Sequence, residues 1–519
     1  MNATTAMRLS AHTSGFLVSR ETVQADECDQ PGDAHAYATD QCPIFSSAFL
    51  AREATHSAGT ACENGVAAMK AIYQPLWRWL LAMIVVCIQL CFPVLAADFP
   101  VRVSGDGTYL EDASGRPFLL MGDAAWSLIG ELSREEADEY LADRQRRGFN
   151  TILVSLIEHR FSRNAPNNFY HKPPFKPGGN FSRPNDAYFD DVDWVLHKAR
   201  ERGILVLLCP SYLGVDGGAE GWLKTMVTAG SDALYAYGRY LGERYRDFDN
   251  IIWVQGGDHN PVDKQPVEAL ARGIAEADPS SLQTVHGSPN TIGSTYWGDA
   301  AWLNLDTLYT YEDVATEALK RYRDGPAIPF ILIESAYEGE RGTNEQTLRQ
   351  IAYGALLSGA SGQVFGNNPV WHFSGPGLYE QPLTWRAALG SRGAMSMTHL
   401  KRLFDGLEWW RLRPDQGVFL KMPRAGTAIA ARTVAGDIAL VYLSETKDVI
   451  INPKHLSANQ VRWYDPSSGR WSETSGRPYG RTLLKFTTPR PLNDAGFSDW
   501  VLVFTNAAAG TSLRGPATR

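Results

Sequence analysis

Thr151-Ile152-Leu153-Val154-Ser155-Leu156 is the stretch that decides the fold. A strand with one wet face alternates apolar and polar residues. This run is nearly all apolar, as a parallel strand covered on both faces requires. Upstream, Phe118-Leu119-Leu120-Met121-Gly122-Asp123 is a similar run that ends in polar groups. Between the two, Ser133-Arg134-Glu135-Glu136 forms a capping box. The helix it opens sets Ala137, Tyr140 and Leu141 on one stripe and ends at Gly148. Downstream, Phe189, Val192, Leu196 and Ala199 stand at helical spacing and stop at Gly203, and residues 204–208 form a third strand closed by Cys209-Pro210.

The same alternation continues. Strands are expected at Ile251-Ile252-Trp253-Val254, around Gln283-Thr284-Val285-His286, around Thr307-Leu308-Tyr309, at Phe330-Ile331-Leu332-Ile333 and near Gly362-Gln363-Val364-Phe365. Eight such units over about 290 residues predict an α/β fold, a (β/α)8 TIM barrel. An open doubly wound sheet is the structural rival, but no Gly-rich dinucleotide fingerprint follows the first strand. After Phe404 the texture changes to short β-like runs at 427–432, 438–443, 461–464, 483–486 and 500–504, separated by turn residues. They predict a small antiparallel β-sandwich. The expected organisation is a barrel over residues 98–411 and a sandwich over 412–519. Trp253 is expected in the core, Trp409 and Trp410 between the two parts, and Asp191 and Asp193 on a solvated helix face.

Residues 80–94 are apolar except for Gln89; Lys70 and Arg78 precede them and Val94-Leu95-Ala96-Ala97-Asp98 follows. A basic flank, a short apolar segment and a small-residue exit make a secretory signal peptide, placed at 69–97 behind Met69. The stretch is shorter than the roughly 20 residues of a membrane span, so no stable insertion is expected after processing. Residues 1–68 read as an upstream extension without a fold, and the mature protein as secreted or periplasmic. Of the six cysteines only Cys209 lies beyond this region, which leaves no disulfide framework. A net charge of −8 offers no basic field for nucleic acid. No Cys/His spacing suggests zinc, and no cofactor is expected.

In a barrel of this kind the chemistry sits where strands end. The polar and aromatic residues just past the apolar runs are Asp123 and Trp126; Glu158, His159 and Arg160; Gln255, Asp258, His259 and Asn260; Tyr309, Tyr311 and Glu312; Glu334 and Tyr337; and Asn367, Asn368 and Trp371. Acids, amides and aromatic rings grip hydroxyls and stack on sugars. Phosphate cradles and Ser or Cys nucleophile arrangements are missing. Glycosidic cleavage needs two carboxyl groups, and Asp258 and Glu334 end strands four and seven, across the mouth from each other. Gly256-Gly257 before Asp258 permits a tight turn or a close approach. Asp258 and Glu334 are thus the expected catalytic pair. Asp123, Trp126, His159, His259, Asn260, Tyr309, Tyr311, Tyr337 and Trp371 are the expected binding residues, with an oligo- or polysaccharide as partner.

The segments Phe118-Leu119-Leu120-Met121-Gly122-Asp123-Ala124-Ala125-Trp126, Ile252-Trp253-Val254-Gln255-Gly256-Gly257-Asp258 and Ile333-Glu334-Ser335-Ala336-Tyr337-Glu338 resemble the apiosidase-like glycoside hydrolases of family 140. The tail resembles the collagen-binding-type β domain that accompanies them. The resemblance implies a retaining, exo-acting enzyme with Asp258 as acid/base and Glu334 as nucleophile, acting on pectic side chains. A glycosidase of other specificity and a non-catalytic sugar-binding barrel are the alternatives; the second would retain the aromatic residues and lose one acid.

Overall fold

The computed structural model describes residues 98–298, 300–421, 428–445 and 448–506. The expected extension and signal segment lie outside these residues. Eight parallel strands form the barrel: β1 (Leu120–Ala124), β2 (Thr151–Ser155), β3 (Leu205–Cys209), β4 (Ile251–Gly256), β5 (Leu282–His286), β6 (Asp306–Tyr309), β7 (Phe330–Glu334) and β8 (Gly362–Phe365). Ladder bonds run from β5 through β4, β3, β2, β1, β8 and β7 to β6. The ring closes between β5 and β6 with fewer backbone bonds: Asn304 and Leu305 donate to Gln283 O, and the Thr284 hydroxyl reaches Leu305 O at 2.6 Å. Helices follow each strand, although the one after β5 is only Gly293–Trp297.

Period-two alternation sorts the barrel strands, apart from one break on β7. Leu120, Leu153, Leu207, Val254, Ile331 and Val364 pack together in the barrel interior, while Ile152, Val206, Leu208 and Trp253 face the helices. The Ser133–Glu136 capping box forms, and Tyr140 and Leu141 bury the stripe of helix Arg134–Arg146. The alternation corrects one expectation. Asp123 lies out of phase with Leu120 and Ala124, so it points to the helix layer and not into the mouth. There it is fully buried, accepting from Tyr140 Oη at 2.6 Å and pairing with Arg144 at 3.4 Å. A second correction concerns the expected solvated face. Asp191 is buried and joins Arg134, Asn168 and Lys172, and Asp193 binds Arg244.

The C-terminal part is two antiparallel sheets. Six strands run in the spatial order Arg413–Pro414, Ala428–Arg432, Ala439–Leu443, Trp500–Thr505, Gln460–Tyr464 and Trp471–Glu473. The second sheet is Asp448–Ile451, Leu483–Thr487 and Arg477–Tyr479; its first and third strands, like Trp471–Glu473, are only three or four residues long and do not stand out in the sequence. Trp500, Leu502 and Phe504 fill the space between the sheets, while the alternate residues Val501 and Val503 pack on the barrel with Tyr353, Phe404 and Trp409. Trp410 packs against the same cluster.

Helix Glu345–Leu357 carries that junction. Tyr353 stacks on Tyr442 with centroids 4.8 Å apart, and the buried Arg349 grips Asp499 through two bonds of 2.6 and 2.8 Å. Removing one partner of such a pair strands a buried charge, which costs about 3–5 kcal/mol. Asp499→Ala should therefore lower the melting temperature of the whole chain in calorimetry. Glu243→Ala, which removes the exposed Arg239–Glu243 pair, should leave the melting temperature nearly unchanged.

Candidate active site

Two backbone irregularities aim the two acids. At the end of β4, Gly256 and Gly257 take φ values of 88° and 125°, and Asp258 follows at 50°. A Cβ on Gly256 would meet His286 O at 2.5 Å, and one on Gly257 would meet the Tyr212 ring at 2.5 Å. Only glycines allow the chain to turn Asp258 over the barrel here. On β7 the cause is a bulge. Leu308 pairs with Leu332, but Tyr309 pairs with Glu334, which leaves Ile333 as an extra residue. Ile331 and Ile333 face inward, so unbroken alternation would send Glu334 outward. The bulge turns it into the mouth.

There Glu334 meets three donors. His286 Nε2 lies 3.0 Å from Oε2, Tyr337 Oη donates to Oε2 at 3.1 Å, and Tyr311 Oη donates to Oε1 at 3.3 Å. Trp126 Nε1 in turn donates to Tyr337 Oη at 3.1 Å, and Tyr309 Oη is 3.2 Å from Tyr311 Oη. Asp258 Oδ2 accepts from Tyr212 Oη at 2.6 Å, while its buried Oδ1 lies 3.9 Å from His286 Nδ1 and has no hydrogen-bond partner among the described residues. The Asp258 N–H donates to His286 Nδ1 at 3.1 Å, so in the neutral ring Nε2 carries the hydrogen given to Glu334.

Burial first, then the Glu334 charge, push the Asp258 carboxyl up to about 6. For His286, burial opposes the imidazolium, but the bond to Glu334 and the charges of Glu334 and Asp258 outweigh it and raise the ring above 6.5. Ligand atoms of Asp258, His286 and Glu334 lie within 4.8 Å of one another, a spacing that could hold a cation. Both nitrogens of His286 are already engaged, so a metal bound through this ring would displace one of its hydrogen bonds.

These groups open on a cavity of about 230 Å³, lined by Trp126, Tyr212, Asp258, Tyr309, Tyr311, Glu334, Tyr337 and Trp371 among others. Of the expected residues, the structure brings together both acids, the two tryptophans and the three tyrosines. Asp123, His159, His259 and Asn260 do not line the cavity. His159 packs edge-on against Trp222, and Asn260 staples its loop to Ser288 through bonds of 2.8 and 3.2 Å. His286 and Tyr212 went unpredicted, although the former ends strand five and the latter follows strand three by three residues. Reading those strand ends as the others were read finds both. A larger cavity of about 730 Å³ sits in the β domain, but its titratable lining is confined to Arg462 and Glu473.

A family model described as the apiosidase-like catalytic domain matches residues 104–411. A second, described as a collagen-binding domain of a collagenase, matches 414–505. No curated protein matches the chain. A solved glycoside hydrolase is 25% identical, with a TM-score of 0.68, over 79% of this chain and 97% of that one. A glycoside hydrolase family 5 structure from Bacteroides vulgatus is 24% identical, with a TM-score of 0.69, over 81% and 96%, and shares the fold.

The carboxyl of Asp258 should titrate lower once the neighbouring charge is gone. In Glu334→Gln the Asp258 carboxyl band in difference infrared spectra should titrate below about 6, yet above 3.8 because burial remains. An unchanged midpoint would contradict the coupling.

Proposed function

Since the chain belongs to the apiosidase-like family of glycoside hydrolases, we propose that it releases a terminal sugar from plant polysaccharide side chains by double displacement between Glu334 and Asp258. The observation that carries this reading is the pair itself: an oxygen of each acid lies within 4.8 Å of the other, in one small cavity. Retaining glycosidases hold their carboxyl groups about 5–5.5 Å apart, whereas inverting enzymes leave room for a water at roughly 6.5–9.5 Å.

In the first step Glu334 attacks the anomeric carbon while Asp258 gives its proton to the leaving oxygen. Tyr311, Tyr337 and His286 hold Glu334 for that attack, and a carboxylate accepts their three bonds better than an acid does. Asp258, a partly exposed residue of the cavity lining, presents its carboxyl to the leaving oxygen. Once Glu334 is esterified its charge disappears, and one of the two causes that raise Asp258 disappears with it. Asp258 is then better suited to take a proton from the water that frees the sugar. The cavity, below the roughly 300–1,000 Å³ of drug-sized sites, suits one sugar ring and an exo-acting enzyme. The signal segment at 69–97 accords with work outside the cytoplasm on a polymer too large to enter. Among the described residues no helix is long and apolar enough to cross a membrane.

Activity on pectic side-chain oligosaccharides and on aryl glycosides tests the roles separately. Glu334→Gln should lower kcat/KM on both by at least about 100-fold, but Asp258→Asn should lose far less on a nitrophenyl glycoside, whose leaving group needs no proton. Proton NMR should show the first-released sugar with retained anomeric configuration. Equal residual rates in wild type and both variants would end the reading. For the export step, mass spectrometry of the secreted protein should find its N-terminus at Asp98.

A further inference from the structure

The loop after β7 carries two more acids, and the fold uses them differently. Glu338 is consumed by structure: it accepts from Gly393 N at 2.8 Å, Ser391 Oγ at 2.6 Å and Asn367 Nδ2 at 2.9 Å, tying the loop to helix Arg392–Asp405. Glu340, two residues on, lines the catalytic cavity. Its Oε1 accepts from Trp371 Nε1 at 3.1 Å, and no donor among the described residues meets Oε2. The adjacent Arg341 is engaged elsewhere. Its Nε donates to Tyr379 Oη at 2.9 Å, and its guanidinium lies over the rings of Tyr311 and Tyr379. Arg341 also takes a φ of 49°, a left-handed conformation that residues with a side chain rarely adopt. That turn separates the neighbours, placing Glu340 on the cavity wall and Arg341, exposed, at its rim.

A third acid beside two others is an unfavourable arrangement, and among the described residues no salt bridge is made by Glu340, on which Arg341 acts only as a nearby charge. Such groups in clefts mark ligand contacts. Glu340 adjoins an indole whose orientation is set by its own N–H bond and by the rings of Phe161 and His372 packed against it. A sugar offers what this pair takes: hydroxyl hydrogens for a carboxylate oxygen and a flat C–H face for an aromatic ring.

We propose that Glu340 is a specificity-determining residue of this cavity, its Oε2 accepting hydroxyls of one neutral terminal sugar that stacks on Trp371. The assignment rests on the glycosidase reading and narrows it. A uronic acid in the same place would set its carboxylate against Asp258, Glu334 and Glu340, and an O-substituted sugar would lack the hydroxyl hydrogens. Burial foremost pushes the Glu340 carboxyl up to about 7; the Trp371 bond opposes it, the Glu334 charge adds to it and the Arg341 charge opposes it. The ionised form is the stronger acceptor, so sugar affinity should increase as pH rises through that value. This trend opposes the loss of the Asp258 proton above about 6.

Calorimetric titration of the full chain with D-apiose, L-arabinose, D-xylose, D-galactose and D-galacturonate tests this directly. At least one neutral sugar should bind, more tightly than galacturonate. Glu340→Gln and Glu340→Ala should weaken it by about 10–100-fold, the value of a charged hydrogen bond. The glutamine keeps an oxygen for Trp371 Nε1, so it decides the matter if the alanine variant fails to fold. Methyl ethers of the preferred sugar should bind wild type more weakly, whereas Glu340→Ala should scarcely distinguish them from the parent sugar. Preference for galacturonate, binding of no neutral sugar, or wild-type affinity in both variants would overturn the assignment. Asp258→Asn and Glu334→Gln separate the two readings. If they still hydrolyse normally, the catalytic roles fail while the sugar affinity continues to report on Glu340.

Discussion

Two acids with oxygens within 4.8 Å of each other repel, and at an effective dielectric of about 20 two full charges at that separation cost about 3–4 kcal/mol. The rest of the site is organised around that repulsion. His286 stands between the acids, accepting the Asp258 amide on one nitrogen and bonding Glu334 through the other. Tyr212 holds the far oxygen of Asp258, and Tyr311 and Tyr337 hold Glu334. What remains of the repulsion appears, together with burial, in the raised Asp258 carboxyl. The same strain that fixes the geometry therefore keeps one acid partly protonated near neutrality, which a proton donor needs.

Such a site needs a rigid frame, because these bonds tolerate errors of only a few tenths of an ångström. The barrel supplies it through strands buried on both faces. The C-terminal sheets add to it, since the apolar face carrying Tyr442, Val501 and Val503 rests on the helix that follows β7. That helix begins eleven residues beyond Glu334, and the loop between them carries Tyr337, Glu338 and Glu340. The buried Arg349–Asp499 pair thus supports, at one remove, the wall of the cavity. The β domain is structurally part of the catalytic body, whatever else it binds.

The sequence was most legible where burial imposes a pattern. Runs such as Thr151–Ser155 and Phe330–Glu334 are apolar because both faces are covered, and that signal located most of the strands; the more polar Leu282–His286 and Asp306–Tyr309 were placed from the continuing alternation of strands and helices. It also located Asp258 and Glu334, because a polar group ending such a run is conspicuous. It misled at Asp123, which likewise ends a run but faces the helices. Position along the strand is visible in the sequence, whereas phase across it is not. His159, His259 and Asn260 followed strand ends closely and still fell outside the cavity, because the loops that carry them bend by local hydrogen bonds that no spacing announces.

Chain order and apolar periodicity by themselves determined the barrel, the appended β-sheets, and the two acids worth suspecting. Only the folded chain decided which way each acid points. For Glu334 that is one extra residue in a parallel ladder, and for Asp258 a run of three left-handed residues that only glycines can open. The tertiary structure alone also assembled His286, Tyr212 and Glu340 around them. These residues come from three different strand ends and loops, so their meeting depends on closure of the ring, a contact between distant segments to which each local sequence is blind.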